Sequence, residues 1–267
     1  QLAKLRGENQ GKAHRGAWYW RNHDGWFLLS IRYGHQDIEL ADGMYSMSQG
    51  FRSSALGDLS IALGNYDTVT GYNSLSIGMN NDVHGNNASC IGRWNLVSGN
   101  YGATLGYHNE NHAFSGFILG HTNELHGDYS FVGGNISYDT GRYSFAYGFR
   151  DSIMSSYAVA MGYGNSVRGN SSVALGTSHK VNGIAAFAGG SANVVDGHYA
   201  TAFGRNGVAS GNSSVAAGYY NEASGAYAVS MGGLNEATNT SAIAIGYNDS
   251  TTGFYAISLG QNLKSSG

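Results

Sequence analysis

The 267-residue sequence contains no proline, one cysteine and few charged side chains. A collagen triple helix needs abundant proline and a glycine at every third position, so the lack of proline excludes it. The single cysteine, Cys90, cannot form an internal disulfide, and because it stands in a column of small residues we predict a buried, unreactive thiol. The net charge of −3 provides no basic stripe for phosphates, which argues against a nucleic-acid partner.

Three further features are missing from the sequence. No run of about 18 apolar residues occurs, so no membrane-spanning helix is predicted. The sequence begins at Gln1 and carries no signal peptide, so we expect the chain to be processed or to be a part of a longer polypeptide. There is also no nucleophile elbow, no phosphate-binding loop before a helix and no pair of catalytic carboxylates, so we expect neither an enzyme nor a bound cofactor.

The dominant feature of the sequence is a glycine at every fourteenth position, from Gly50 to Gly260, with no insertion or deletion. A fixed short period of this kind predicts a solenoid, in which each coil buries its faces against its neighbours. Large and small residues alternate before each glycine, as in residues 157–162 and 241–246, which is the pattern of a β-strand. A second segment, Asn-x-Val-x-Gly, follows in many repeats, as in residues 165–169. The sequence therefore predicts an all-β solenoid of about sixteen coils, each with two short strands and with glycines at corners of positive φ.

The interior of each coil is predicted from its columns of small residues. The alternation places residues such as Ala158 and Ala160 inside, together with the Asn and Val of the second segment. Buried Asn side chains of neighbouring coils are expected to hydrogen-bond to one another, because a buried amide requires partners. The outward residues of the second strand are polar or mixed, so that strand is expected to face water.

The outward residues of the first strand are mostly apolar. At ~4.8 Å for each stacked strand, the coils would form a rod of about 75 Å. An apolar strip of that length far exceeds the few hundred Å² tolerated on a soluble monomer, so we expect it to be buried against other chains. The residues predicted to form this interface are Ile61, Leu63, Leu75, Ile77, Val159, Met161, Val173, Leu175, Val229, Met231, Ile243, Ile245, Ile257 and Leu259.

Three repeats carry a resemblance to a known family. Residues 172–176, 242–246 and 256–260 are Ser-Val-Ala-Leu-Gly, Ala-Ile-Ala-Ile-Gly and Ala-Ile-Ser-Leu-Gly, and in their fourteen-residue frame they resemble the head repeats of YadA-like trimeric autotransporter adhesins. The resemblance implies a left-handed parallel β-roll, a homotrimer with three rolls packed about an axis through the Val/Ile strand, and a surface-exposed binding head. No heptad-patterned stalk or membrane anchor follows Gly260, so we expect display on a membrane to depend on other segments.

The first part of the chain differs from the repeats. Residues 1–43 do not match them, and within this segment residues 16–21 and 26–33 predict a β-hairpin with a turn at residues 22–25. We expect the segment to cap the open end of the roll or to join it to another subunit. Residues 44–267 are predicted to form the roll itself.

Tyrosine fills the column five residues before the repeat glycine in half of the repeats. An exposed tyrosine offers an apolar ring with a polar end, which suits the binding of a protein or a glycan. The alternative is that the same rings pack at the seam between neighbouring rolls of a trimer. The candidates for surface binding are Tyr101, Tyr129, Tyr143, Tyr157, Tyr199 and Tyr227.

Four potential metal ligands, Glu110, His112, Glu124 and His126, stand at outward positions of neighbouring repeats. Carboxylates and imidazoles are metal ligands, so these four residues form a candidate metal patch. Exposed polar columns produce such groups often, and we therefore predict no resident metal ion.

Three functions are compatible with such a chain. The one we predict is an extracellular or cell-surface homotrimeric rod that adheres to protein or glycan ligands of a host or surface. The same rod would also serve as a structural or receptor-binding subunit of a viral or phage fibre or of a cell-surface filament. A third possibility is ice binding, because the Asn-x-Val-x-Gly segments also look like the repeats of grass ice-recrystallisation inhibitors. Those proteins need a regular Thr- or Ser-rich outward face, whereas the regular outward face here is apolar.

Overall fold

The structure is a computed structural model that describes residues 17–21, 27–31 and 45–266. All regular secondary structure in these residues is β. The chain divides into two compact units, Gln1–Glu124 and Leu125–Gly267. Among the described residues there is no helix whose length and apolar character would allow it to cross a membrane.

An antiparallel hairpin precedes the repeats. It pairs β1 (Ala17–Arg21) with β2 (Phe27–Ile31). These strands lie within the two segments that are expected to pair. The expected turn at residues 22–25 and the expected boundary at residues 43 and 44 lie outside the described residues, and the role of the segment as a cap or joint stays a prediction.

Each coil of the first unit contains a strand of five residues and a strand of two residues, so the two predicted halves of a coil are unequal. In chain order these strands are β3 (Met47–Phe51), β4 (Ser54–Ala55), β5 (Ile61–Asn65), β6 (Thr68–Val69), β7 (Leu75–Met79), β8 (Asp82–Val83), β9 (Ser89–Arg93), β10 (Leu96–Val97), β11 (Ala103–Tyr107), β12 (Glu110–Asn111) and β13 (Phe117–His121). The next strand, β14 (Glu124–Leu125), contains the boundary between the units.

The second unit continues the same alternation of long and short strands. In chain order these are β15 (Phe131–Asn135), β16 (Tyr138–Asp139), β17 (Phe145–Phe149), β18 (Ser152–Ile153), β19 (Val159–Tyr163), β20 (Ser166–Val167), β21 (Val173–Thr177), β22 (Lys180–Val181), β23 (Phe187–Ser191), β24 (Val194–Val195), β25 (Thr201–Arg205), β26 (Val208–Ala209), β27 (Val215–Tyr219), β28 (Glu222–Ala223), β29 (Val229–Gly233), β30 (Glu236–Ala237), β31 (Ile243–Tyr247), β32 (Ser250–Thr251), β33 (Ile257–Gln261) and β34 (Lys264–Ser265).

Strands of equal length pair in parallel with those of the next coil. In the first unit Gly92 of β9 pairs with Gly106 of β11, and in the second unit Gly162 of β19 pairs with Gly176 of β21. Within each unit the five-residue strands form one sheet, here called the first sheet, and the two-residue strands form the second sheet. The prediction of an all-β parallel β-solenoid of about sixteen turns is confirmed.

Small and β-branched side chains fill the interior. In the second unit Ala160 and Ala174 of the first sheet and Val167 and Val181 of the second sheet are fully buried. The two sheets of a coil are joined by tight corners, so the space between them suits alanine and valine and leaves little room for larger side chains. The predicted inward columns are therefore confirmed.

A column of asparagine side chains runs through the interior of the first unit. Nδ2 of Asn95 donates a hydrogen bond to Oδ1 of Asn81 at 3.0 Å, and Nδ2 of Asn109 donates to Oδ1 of Asn95 at 2.9 Å. Asn95 Nδ2 also lies 2.9 Å from the carbonyl oxygen of Gly106 in the next coil. Because these buried amides have partners, they link the coils instead of destabilising the core.

Other polar residues replace asparagine in that column, and their burial is not predicted from the sequence. The imidazole of His179 is buried; its Nε2 donates to the carbonyl oxygen of Leu175 at 3.2 Å, and its Nδ1 accepts from the N–H of Asn193 at 3.2 Å. This network assigns the proton to Nε2 and keeps the ring neutral, and burial lowers the pKa of His179. Asp67 and Asp151 occupy the same column in other coils, and burial raises the pKa of both carboxyl groups.

The predicted corner position of the repeat glycines is wrong, because they lie within strands of the first sheet, whereas their predicted positive φ is confirmed. Gly92 lies within β9 at a φ of +136°, and a Cβ there would overlap the carbonyl oxygen of Gly106 in the next coil. The second glycine of the same repeat, Gly99, does not have a positive φ, but a Cβ there would overlap the carbonyl oxygen of Ala113. The corners hold residues other than glycine in the left-handed conformation, such as Trp94 with a φ of 58°. The close approach of successive coils therefore selects glycine at both positions.

Candidate binding surfaces

Two columns form the outer face of the first sheet. One contains the residue three positions before each repeat glycine, and the other contains the residue directly before it. In β19, Val159 and Met161 point outward, and Ala160 between them points into the coil. None of the fourteen residues predicted to form a chain interface is buried in the single chain. Each unit therefore presents an apolar sheet face.

Aromatic rings fill the gaps that two glycines leave in this outer face. A Cβ on Gly133 would lie 2.5 Å from Cδ2 of Tyr147 and 2.9 Å from Cε1 of Phe131. Likewise, a Cβ on Gly189 would lie 2.9 Å from Cδ2 of Phe203. The rings thus lie across the glycines, and this keeps the outer face packed where a side chain is missing.

The tyrosine column occupies one line of corners. Tyr129, Tyr143 and Tyr157 stack in sequence, with ring centroids 5.1 Å and 5.2 Å apart and nearly parallel planes. In the first unit Tyr101 packs edge-on against Phe114 at 5.3 Å. All six predicted tyrosines are exposed in the single chain, and all have a positive φ between 56° and 60°. The tyrosine rings are therefore accessible, and the backbone of each tyrosine has the left-handed conformation at a corner of the coil.

Two residues of the candidate metal patch, Glu110 and His112, lie close to each other beside the second sheet. Nε2 of His112 lies 3.5 Å from Oε2 of Glu110, and Nδ1 of His112 lies 2.7 Å from Oγ of Ser98. Glu124 belongs to the first unit and His126 to the second. In the part of the chain that the structure describes, no group of three His, Cys, Asp or Glu side chains is arranged to hold a metal ion.

The thiol of Cys90 is fully buried in the first unit. Burial raises the pKa of Cys90 to about 12, so the thiolate does not form near neutral pH. Because nucleophilic and metal-binding cysteines react as thiolates, Cys90 acts as a small core residue.

A further surface, the Trp94 corner, consists of Arg93, Trp94, Tyr107, His108 and His121 at the ends of three neighbouring strands of the first sheet. The guanidinium carbon of Arg93 is 4.7 Å from the centre of the Trp94 ring. The Trp94 and Tyr107 rings are 5.4 Å apart, and Tyr107 stacks on His121 at 4.9 Å with an interplanar angle of 7°. These side chains form a continuous aromatic surface that carries one permanent positive charge.

The Trp94 corner is not predicted from the sequence, because the two columns that follow each repeat glycine vary in composition. A signal is nevertheless present. Of the six arginines between residues 45 and 266, four fall in these two columns. Each of the four lies over an aromatic ring, with centroid distances between 4.7 Å and 5.9 Å. They are Arg52, Arg93, Arg150 and Arg205.

Comparison with known proteins identifies the repeat. A family model described as the YadA head domain repeat matches residues 41–66, 156–178, 196–221 and 223–248. No curated protein matches the chain. The matched segments lie in both units and include first-sheet and second-sheet strands of several coils.

Proposed function

Because this chain belongs to the YadA head domain repeat family, we propose that it is the head of a trimeric adhesin, located outside the cell, with a binding role and no catalytic role. Three copies pack through the outer faces of their first sheets, and each coil is left-handed. The second sheet and the corners stay accessible to protein or glycan ligands.

The observation that carries this proposal is the apolar character of the outer face. Met161, Leu175 and Ile245 are 40%, 38% and 38% exposed in the single chain, and neighbouring coils repeat the pattern. Monomeric soluble proteins rarely expose contiguous apolar faces of this extent. Burial of apolar surface contributes about 25 cal/mol for each Å², so packing against further copies is favourable.

The trimer is tested with two substitutions in one coil. Met161→Asp places a carboxylate on the outer face, where association would have to bury it without a partner. Ser166→Asp places the same carboxylate on the second sheet of that coil, next to Ser152 and Lys180. In sedimentation equilibrium we expect three times the chain mass for the wild type and for Ser166→Asp, and a large loss of association for Met161→Asp. A monomeric wild type, or a Met161→Asp variant that stays fully associated, would contradict the proposal.

Adhesion is tested by the binding of purified trimer to arrays of extracellular-matrix proteins and glycans. We expect saturable binding that is lost with the Met161→Asp variant if the binding surface requires three chains. The alternative is a subunit of a viral or phage fibre or of a cell-surface filament, because the same outer face would also pack chains there. End-to-end polymers in electron micrographs, together with no array binding, would favour that alternative. An associated chain argues against the ice-binding possibility, which corresponds to a monomeric roll.

A further inference from the structure

The Trp94 corner is held in place by the backbone of the coils. The N–H of Trp94 donates to the carbonyl oxygen of Met79 at 2.9 Å, and the N–H of His108 donates to the carbonyl oxygen of Arg93 at 2.9 Å. One coil further on, the N–H of Thr122 donates to the carbonyl oxygen of Tyr107 at 2.9 Å. The aromatic side chains therefore project from a hydrogen-bonded frame, which reduces the entropy lost when a ligand binds.

The residue type at this corner is unusual for its backbone conformation. The equivalent left-handed corners of other coils vary: they hold Asn80, Asn206 and Asn248 but also Tyr66, Ile136 and Tyr220, and asparagine tolerates a positive φ better than most residues. At 94 the chain places tryptophan at a φ of 58°, and its side chain is 43% exposed. Neither the core nor the backbone requires a large ring here, so the ring is available for a ligand.

The electrostatic setting of the corner is positive. The two columns that follow each repeat glycine contain no aspartate or glutamate from Phe51 to Asn262. In the part of the chain that the structure describes, no carboxylate pairs with Arg93. The guanidinium lies over the Trp94 ring, which leaves its N–H edges free to donate to a carboxylate or sulfate.

We propose that the Trp94 corner binds an acidic saccharide. The apolar C–H face of a sugar ring packs on Trp94 and Tyr107, and Arg93 pairs with the carboxylate or sulfate of the same or the next sugar. His108 supplies further ring nitrogens at the edge of the surface. This inference rests on the adhesive role proposed above and names the ligand class of one of its surfaces.

A single-stranded nucleic acid also carries flat rings and negative charge, but it fits this surface less well. A surface that binds a single-stranded nucleic acid provides a cationic side chain for nearly every phosphate it contacts. The Trp94 corner has one arginine, and the neighbouring arginine of the same columns in the first unit, Arg52, lies three coils away, or about 14 Å at ~4.8 Å per coil. An oligosaccharide with spaced acidic groups matches this low density of charge.

The test uses the full chain, a heparin-derived tetrasaccharide, its desulfated form and a single-stranded oligothymidylate, each titrated by calorimetry. Trp94→Asn installs the residue that equivalent corners already accept, so the coil should stay folded. Arg93→Gln removes the charge. Tyr72→Asn is the matched control, because it removes an exposed ring from the other line of corners, where Asn86 occupies the equivalent position of the next coil.

We expect the wild type and Tyr72→Asn to bind the tetrasaccharide equally, and Trp94→Asn and Arg93→Gln to bind it roughly tenfold more weakly. Equal binding by Trp94→Asn, or no binding by the wild type, would overturn the proposal. Tighter binding of the oligothymidylate than of the tetrasaccharide would overturn it in favour of nucleic acid. Sedimentation of the same samples separates the two proposals: a monomer that binds contradicts only the trimer, and a trimer that does not bind contradicts only this site.

Discussion

The hydroxyl of Ser144 donates a hydrogen bond to Oδ2 of Asp139 at 2.6 Å inside the core of the second unit. The N–H of Gly141 donates to Oδ1 of Asp139 at 2.8 Å. These two bonds favour the carboxylate, but burial outweighs them and raises the pKa of Asp139 from 3.8 to about 6. Asp139 thus occupies a position where Val167 and Val181 stand in other coils, and it must be ionised at neutral pH without contact with water.

The first prediction concerns Asp139→Asn. Because the folded pKa of about 6 exceeds the unfolded value of 3.8, the unfolding free energy of the wild type should fall as the pH rises through this window and stay low above it. Ionisation of Asp139 lowers the unfolding free energy by at most about 3 kcal/mol. Asparagine already stands at the equivalent position of the first unit, where Asn111 Nδ2 donates to the carbonyl oxygen of Gly116 at 2.9 Å.

We therefore expect Asp139→Asn to raise the urea midpoint at pH 7.5, with a gain of about 1–3 kcal/mol, and to change it little at pH 4. The exposed Asp196→Asn is the control and should shift neither midpoint. An equal gain for Asp139→Asn at both pH values would mean that ionisation is not the cause.

The second prediction concerns His179, whose pH dependence has the opposite sign. Burial lowers its folded pKa below the unfolded value of 6.5, so protons bind more tightly to the unfolded chain, and stability should fall as the pH drops below 6.5. His179→Asn restores the asparagine found at Asn165 and Asn193. We expect this variant to lose part of the decrease in thermal midpoint between pH 7 and pH 5 that the wild type shows. If the thermal midpoints of the wild type and His179→Asn fell equally between pH 7 and pH 5, protonation of His179 would not destabilise the fold.

Much of the coil was accessible from the sequence, because alternation in a strand assigns one side chain inward and the next outward. Ala160 and Val167 were assigned to the interior on that basis, and they are fully buried. The role of Gly92 was not accessible, because it depends on the distance to the carbonyl oxygen of the next coil. The Trp94 corner was not accessible for a different reason: a repeat is recognised by what its coils share, and the two columns that hold this corner vary in composition from coil to coil.

The third prediction compares two glycines of one coil that differ in the space around a Cβ and in the value of φ. Both have a positive φ, +131° at Gly162 and +66° at Gly164. A Cβ on Gly162 would overlap the carbonyl oxygen of Gly176, whereas the nearest heavy atom to a Cβ on Gly164 is Ser178 Oγ at 3.8 Å. We expect Gly162→Ala to destabilise the fold by roughly 3 kcal/mol or more and Gly164→Ala by about 1 kcal/mol or less, measured by urea unfolding. Similar losses for both variants would contradict this expectation, because the overlap and the φ of +131°, which lies outside the left-handed helical region, both disfavour a side chain at 162.

The last prediction tests the assignment of the two faces of β19. Ala160 is fully buried between the two sheets, so Ala160→Leu adds three carbon atoms to a filled interior and should lower the unfolding free energy by about 1–3 kcal/mol. Met161 lies on the outer face, and Met161→Leu changes shape at nearly constant volume, so it should cost less than about 1.5 kcal/mol. The two positions are adjacent in sequence, and only the alternation of the strand makes their responses differ. If Met161→Leu proved the more damaging in urea unfolding, the strand would face the opposite way, and the outer face would no longer be a surface on which other chains could pack.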